Sequence, residues 1–218
     1  SPLYFQGKLL PLSSTPVTSI ADARVKKLNF TYGGQVTKGQ QLLVLDSESL
    51  YKKFNDALDS FIKQKESYLV NVEDFKGTQM LYKAGVMSRS AFLSQQSTHN
   101  STVLAYYKSR MELTKITSKV GIASGFIDKA SFDNERDIVQ SFKDKFSNIV
   151  VKSPGAGIAM FPVKADSSKS DSDDGTHQLT VGSAVKEGQS LLSVGNLQGY
   201  SVTFQVNEIQ VNQVHPGM

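Results

Sequence analysis

Cysteine and tryptophan are both missing from this chain of 218 residues. Without cysteine there are no disulfides and no thiolate metal sites, although the compartment stays undecided. No apolar run approaches the ~18–20 residues that a membrane-spanning helix needs, and no secretory signal opens the chain. Charge of one sign is also scarce: 24 basic and 20 acidic residues leave +4. They are dispersed, so nucleic acid is a poor candidate partner. Only three histidines occur, His99, His177 and His215, with no metal-ligand spacing among them. The chain has no Gly-x-Ser-x-Gly elbow and no Gly-x-x-x-x-Gly-Lys-Ser/Thr phosphate loop. An acidic cluster, Asp171, Asp173 and Asp174, invites calcium, but setting Gly175 at the sixth loop position puts Ser170 first and Val181 twelfth. That register fails. These absences argue against an enzyme, and no cofactor or metal is expected.

What the chain does have is a motif written twice. Gly33-Gly34-Gln35-Val36-Thr37-Lys38-Gly39-Gln40-Gln41-Leu42-Leu43 returns about 150 positions later as Gly182-Ser183-Ala184-Val185-Lys186-Glu187-Gly188-Gln189-Ser190-Leu191-Leu192. In each copy a valine leads into a Gly-Gln turn and an apolar run follows, the signature of strand, turn and strand. Neither copy alone has enough strands to bury an apolar face. The two halves are therefore expected to close as one β-sandwich, with the intervening chain leaving it and coming back.

That intervening chain changes period. From Ser47, apolar residues fall at Leu50, Phe54, Leu58, Phe61 or Ile62, Leu69, Val72, Phe75 and Met80, the three-and-four spacing of a helix. Such a helix, from about 47 to 83, has Asp46 or Ser47 as N-cap and Glu48 in an acidic first turn. Gly85 breaks it, and Ser88 caps a second helix running to about Lys119. The second seam is thinner: Phe92, Val103, Tyr106, Leu113 and Ile116, with Gln95, His99 and Thr102 turned towards a partner. A two-helix rod with a polar distal half is expected. Gly121 and Gly125 interrupt it, and a third helical segment, about 127 to 146, is left without a definite place.

The β pattern resumes with Ile149-Val150-Val151-Lys152-Ser153-Pro154-Gly155-Ala156-Gly157-Ile158-Ala159. Residues 166–176, polar and repetitive in Ser and Asp, are expected to form a flexible loop. An alternating strand, 200–206, then opens a further β-module. At the other end, Leu3-Tyr4-Phe5-Gln6-Gly7 resembles the remnant of an engineered protease site. Residues 1–7 are therefore set aside, and 8–20, with Pro11 and Pro16, read as an extended segment.

The order of these pieces carries a resemblance. A β half-motif, a helical hairpin, Ser153-Pro154-x-x-Gly157 opening the second half-motif, then Val206-x-Glu208-Ile209 and Pro216-Gly217 resemble the membrane fusion proteins, or periplasmic adaptors, of the HlyD family. The likeness covers about residues 17–218. It implies an elongated α+β fold: a split lipoyl-like β-sandwich (21–46 and 149–197), an inserted α-helical coiled-coil hairpin (47–148, tip about 84–88) and a fragment of a β-barrel domain (198–218, with part of 8–20). It also implies a role in tripartite efflux or type I secretion. The family bridges an inner-membrane transporter (ABC, RND or MFS) and a TolC-like outer-membrane channel as a ring of copies, for example a hexamer. The implied setting is the periplasm of a Gram-negative bacterium, with anchorage to the inner membrane through a segment outside this sequence.

In that family the hairpin tip carries an Arg, a Leu and a Ser at fixed spacing, which dock to the channel. Leu81 and Ser88 match two of them, but the Arg position is Gly77, with Lys76 or Arg89 as substitute cations. The resemblance thus points to Leu81, Gly85, Val86, Met87, Ser88 and Arg89 as the partner-binding tip. A lipoyl or biotinyl carrier shares the two-half sandwich but needs a modifiable lysine on the hairpin between the halves. Here helices fill that joint, 46–148, so the carrier reading fails. The remaining alternative is a coiled-coil scaffold of the cell envelope without a transport role.

Overall fold

The computed structural model describes residues 7–162 and 178–204. The polar loop expected at 166–176, His177, and the Val206-x-Glu208-Ile209 and Pro216-Gly217 stretches lie outside them. Two compact units divide the chain, one built from three separate β-rich stretches and one mainly from 45–149.

Two four-stranded sheets form the β-unit. Its strands are β2 (Ser14–Thr18), β3 (Ala23–Leu28), β4 (Gln35–Val36), β5 (Gln41–Asp46), β6 (Ile149–Lys152), β7 (Gly157–Met160), β8 (Ala184–Val185) and β9 (Ser190–Gly195). One sheet runs β2-β9-β7-β4 and the other β6-β5-β3-β8. Substituting each strand by its counterpart in the other half, β2 for β6, β3 for β7, β4 for β8 and β5 for β9, turns one order into the other. Each sheet therefore mixes both halves, and neither half can complete a sheet by itself. In β5 and β9 the apolar runs do not alternate: Leu42 to Leu45 and Leu191 to Val194 are buried throughout, as in strands covered on both faces.

The repeated turns join the halves reciprocally. Gly39 N–H donates to Ser153 C=O at 2.8 Å, and Gly188 N–H to Ser19 C=O at 2.8 Å. Gly33 N–H donates to Ala159 C=O and Gly182 N–H to Val25 C=O, each at 2.7 Å. All four glycines sit at positive φ, between 78° and 91°, a region other residues enter at a cost. Gln40 and Gln189 act alike too, their Oε1 atoms accepting from the backbone N–H groups of Thr37 and Lys186 at 3.0 and 2.9 Å. Ser19 and Ser153 are both buried; the Ser153 hydroxyl donates to Gly155 C=O at 2.6 Å, closing the Ser-Pro turn.

The extended segment 8–20, part of which was expected in the β-barrel fragment, divides between two sheets. Its second part is β2, the counterpart of β6, so the first half-motif starts at Ser14 rather than at 21. Pro16 is tolerated because β2 is an edge strand. Its first part is β1 (Gly7–Pro11), which pairs antiparallel with β10 (Tyr200–Phe204) in a separate two-stranded sheet. Gly7, set aside with the residues before it, opposes Phe204 in that ladder.

In the helical unit, α1 (Glu48–Lys83) and α2 (Arg89–Lys119) form an antiparallel hairpin. Ser47 caps α1, its hydroxyl accepting from Leu50 N–H at 3.0 Å and donating to Asp22 C=O at 2.6 Å. The distal half is not polar inside, contrary to expectation. An aromatic ring recurs every seventh residue of α1, at Phe54, Phe61, Tyr68, Phe75 and Tyr82, and α2 answers with Phe92, His99 and Tyr106. Tyr68 stacks on Tyr106 at 4.5 Å between centroids, Phe75 on His99 at 4.2 Å and Tyr82 on Phe92 at 4.2 Å. His99 also meets Asn71, Nδ1 to Oδ1, at 2.6 Å. A seven-residue repeat is the spacing of a coiled-coil seam. Leu69 and Met80, expected in that seam, are exposed instead, as is Gln95.

The third segment is shorter than expected and broken in two. A 3₁₀ turn, Ser124–Lys129, precedes α3 (Glu135–Ser147). Both close on the base of α1: Phe126, Phe142 and Phe146 surround the fully buried ring of Phe54. Lys65 Nζ donates to the carbonyls of Asp128 and Ala130 at 2.9 and 3.0 Å, and Arg110 pairs with Asp128 at 2.7 Å. The Arg110 guanidinium holds the Asp128 carboxyl below its ordinary range.

Candidate docking site

Two helices of this length run roughly 50 Å at 1.5 Å per residue to a turn of five residues, Ala84 to Ser88, between α1 and α2. The turn is a Schellman motif. Val86 N–H donates to Leu81 C=O and Gly85 N–H to Tyr82 C=O, both at 3.0 Å, which satisfies two carbonyls the helix end leaves open. Gly85 provides the left-handed residue, φ 75°. Nothing lies within 4 Å of the place its Cβ would take, so the demand for glycine is purely conformational. Gly85→Ala is expected to destabilise the turn by about 1 kcal/mol. Faster amide exchange at Gly85 and Val86, with the helix base unchanged, is the measurement that shows it.

Ser88 starts α2, its hydroxyl oxygen accepting from Ala91 N–H at 3.2 Å. The hydroxyl proton remains available to an outside carbonyl. Beneath the turn, the Tyr82–Phe92 stack braces the two helices against each other. On that brace the apolar side chains point into solvent: Val86 is 74% exposed and Leu81 47%. Met87 beside it is half-buried. Met80 and Leu93 extend the exposed apolar surface down both helices. Leu93 and Tyr82 do not stand out by hydrophobic spacing; the ladder's seven-residue repeat is the signal that locates Tyr82.

Lys76 is held by Glu73 at 2.9 Å, whereas Arg89 is exposed and enters no ion pair among the described residues. Gly77 stands near the C-terminal end of α1, exposed, with open space where a side chain would go. Among the described residues no group of three or more His, Asp or Glu side chains is placed to hold a metal.

No family model and no curated protein matches the chain. Solved structures do. The crystal structure of ZneB from Cupriavidus metallidurans matches with a TM-score of 0.52 at 16% identity, covering 96% of this chain and 72% of that one. The fold is that of the membrane fusion proteins. The membrane fusion protein Spr0693 from Streptococcus pneumoniae R6 follows at a TM-score of 0.45, 13% identity, and 96% and 70% coverage. The periplasmic adaptor protein EmrA matches at 0.38, 13% identity, and 96% and 79% coverage. In a chain with the membrane fusion protein fold the exposed tip is the surface to explain. No helix among the described residues is long and apolar enough to cross a membrane.

Proposed function

We propose that the protein is a periplasmic adaptor that bridges an inner-membrane transporter and a TolC-like outer-membrane channel, with the hairpin tip as its channel-docking end. The observation that carries this reading is the braced turn that holds Val86 74% exposed at the far end of a coiled coil in a membrane fusion protein fold. With Met80, Leu81 and Leu93 also exposed near it, Val86 belongs to a group of apolar side chains of the kind that marks a partner surface. Val86 would enter a groove between channel helices, while the Ser88 hydroxyl donates to a backbone carbonyl there. Each contact is small, but a ring of copies repeats it and multiplies the effect.

The test must spare the cap on α2. Aspartate at position 88 accepts from a backbone N–H as serine does, so Val86→Asp with Ser88→Asp keeps the turn and places two charges in the contact. Export in cells carrying this variant is expected to fall to the level of a deletion strain. The helical circular dichroism signal and the protein's distribution between membrane and soluble fractions stay as in the parent. Normal export would remove the tip as docking site and put the envelope-scaffold reading first.

A further inference from the structure

The far end of the hairpin gathers apolar side chains and cations without a carboxylate among them, and we propose that it inserts into the interface of an anionic lipid bilayer. Carboxylates run along α1 as far as Asp74 and resume in α2 at Glu112; none occurs from Phe75 to Met111. Among the cations of that stretch, Lys76 is held by Glu73 and Arg110 by Asp128. Lys83 and Arg89, exposed on either side of the turn, enter no ion pair among the described residues. Lys83 lies in the last turn of α1, where a helix favours a cation. Arg89 does not share that reason. It opens α2, whose first turn has no acidic residue, and so stands against the positive end of the helix dipole. A charge placed at a cost to its own helix, across a short turn from a like charge, is accounted for by anions outside the molecule.

The apolar side chains say that those anions form a surface and not the wall of a groove. Val86 leads from the turn, and behind it Met80 and Leu81, both exposed, leave α1 in directions about 100° apart, while Leu93 is exposed on α2. A groove in a folded protein meets one side of a helix pair. A lipid interface closes round all of it. Insertion by about 5–10 Å, the depth of an interfacial helix, takes in the turn and roughly one helical turn behind it at 1.5 Å per residue, as far as Met80 and Leu93. Lys83 and Arg89 have the length to carry their charges back to the phosphates while their stems stay among apolar neighbours. The Tyr82–Phe92 stack, with Tyr82 37% exposed, then lies at the headgroup level where aromatic rings settle in membranes.

Lipid binding needs no channel, so it and the docking reading fail separately, one in vesicles and the other in export. The full chain is expected to float with vesicles of phosphatidylglycerol and phosphatidylcholine at low salt, to bind phosphatidylcholine alone about tenfold less or weaker still, and to be released as salt screens the charges. Lys83→Glu with Arg89→Glu should lower the binding about tenfold or more with unchanged helical circular dichroism. Lys53→Glu with Lys143→Glu, exposed at the base of the helical unit, changes the net charge equally and should leave binding within about a factor of two. Because the chain has no tryptophan, a single one reports position: Val86→Trp emission should shift to the blue on the anionic vesicles, and Tyr107→Trp, exposed midway along α2, should not. A parent that ignores the vesicles, equal losses from the two charge-reversed pairs, or a Tyr107→Trp that shifts as Val86→Trp does would each overturn the proposal. So would a tip that ignores lipid and uses Lys83 and Arg89 to hold an acidic folded protein.

Discussion

Gly157→Ala is expected to unfold the β-unit at temperatures where the parent is intact. A Cβ at this position would lie 2.0 Å from the carbonyl oxygen of Gly195 and 2.9 Å from its carbon, with Val194 Cγ1 at 3.1 Å. The obstacle is backbone in the neighbouring strand, so no rotamer change relieves it. Strand β7 must then move off β9, breaking the ladder that sets Ile158 opposite Gly195 and Ala159 opposite Val194. Overpacking that forces backbone shifts costs about 3 kcal/mol or more, about 6–12 °C in melting temperature for a chain of this size. Gly155→Ala is the control, two residues away with nothing within 4 Å, and should change stability by less than about 0.5 kcal/mol. The readout is denaturant unfolding followed through the amide signals of β7 and β9. Equal losses from both substitutions would show that the close approach of the strands is not what requires glycine.

Phe54→Ala should be as damaging to the helical unit. Its ring is fully buried, with centroids 5.1 Å from Phe146, 6.0 Å from Phe142 and 6.3 Å from Phe126. Removing it leaves a cavity at the one place where α1, the 3₁₀ turn and α3 meet, at a cost of about 3–5 kcal/mol. Hydrogen exchange should locate the loss. Protection in α3 is expected to fall a hundredfold or more, while Leu69→Ala, half-exposed in the same helix, leaves it within a factor of two or three. If α3 stays protected in Phe54→Ala, its anchorage lies elsewhere, in the Lys65 and Arg110 contacts to the Asp128 loop.

The twin turns could be read in advance because glycine and glutamine each do one job there, and the letters repeat with the job. Strand β2 was harder to see, since Pro16 marks extended chain without saying which sheet receives it. The reciprocity of Ser19 and Ser153, both buried and both accepting from a turn glycine, has no signature a single serine can carry. In the hairpin, counting apolar residues favoured Leu69 and Met80 and passed over Tyr68 and Tyr82, whereas His99, expected to face a partner, stacks on Phe75. A ring's flat faces pack as core even where its edge bears a polar atom, so the rung positions follow from aromatic recurrence and not from hydrophobicity. At the tip, Gly85 and Ser88 were apparent as punctuation, whereas the exposure of Val86 against the half-burial of Met87 depends on the direction in which the turn leaves α1.

One contact at the foot of the hairpin bears on how the chain finds this structure. Ser47 N–H donates to Phe146 C=O at 3.0 Å, so the two ends of a hundred-residue excursion are hydrogen-bonded neighbours. Helical hairpins assemble from contacts near in sequence and do so quickly. Once this one has formed, the ribosome's next product, Ile149 onward, emerges already beside β5. For the halves of the split sheet the separation is then no longer about a hundred flexible residues but a few, which by loop-closure entropy lowers the cost of meeting by about 3 kcal/mol. Helices that form first would hold the two ends together before the sheet closes, and a variant whose hairpin forms late is expected to accumulate with its first β-half open to proteases, as pulse proteolysis during refolding would show.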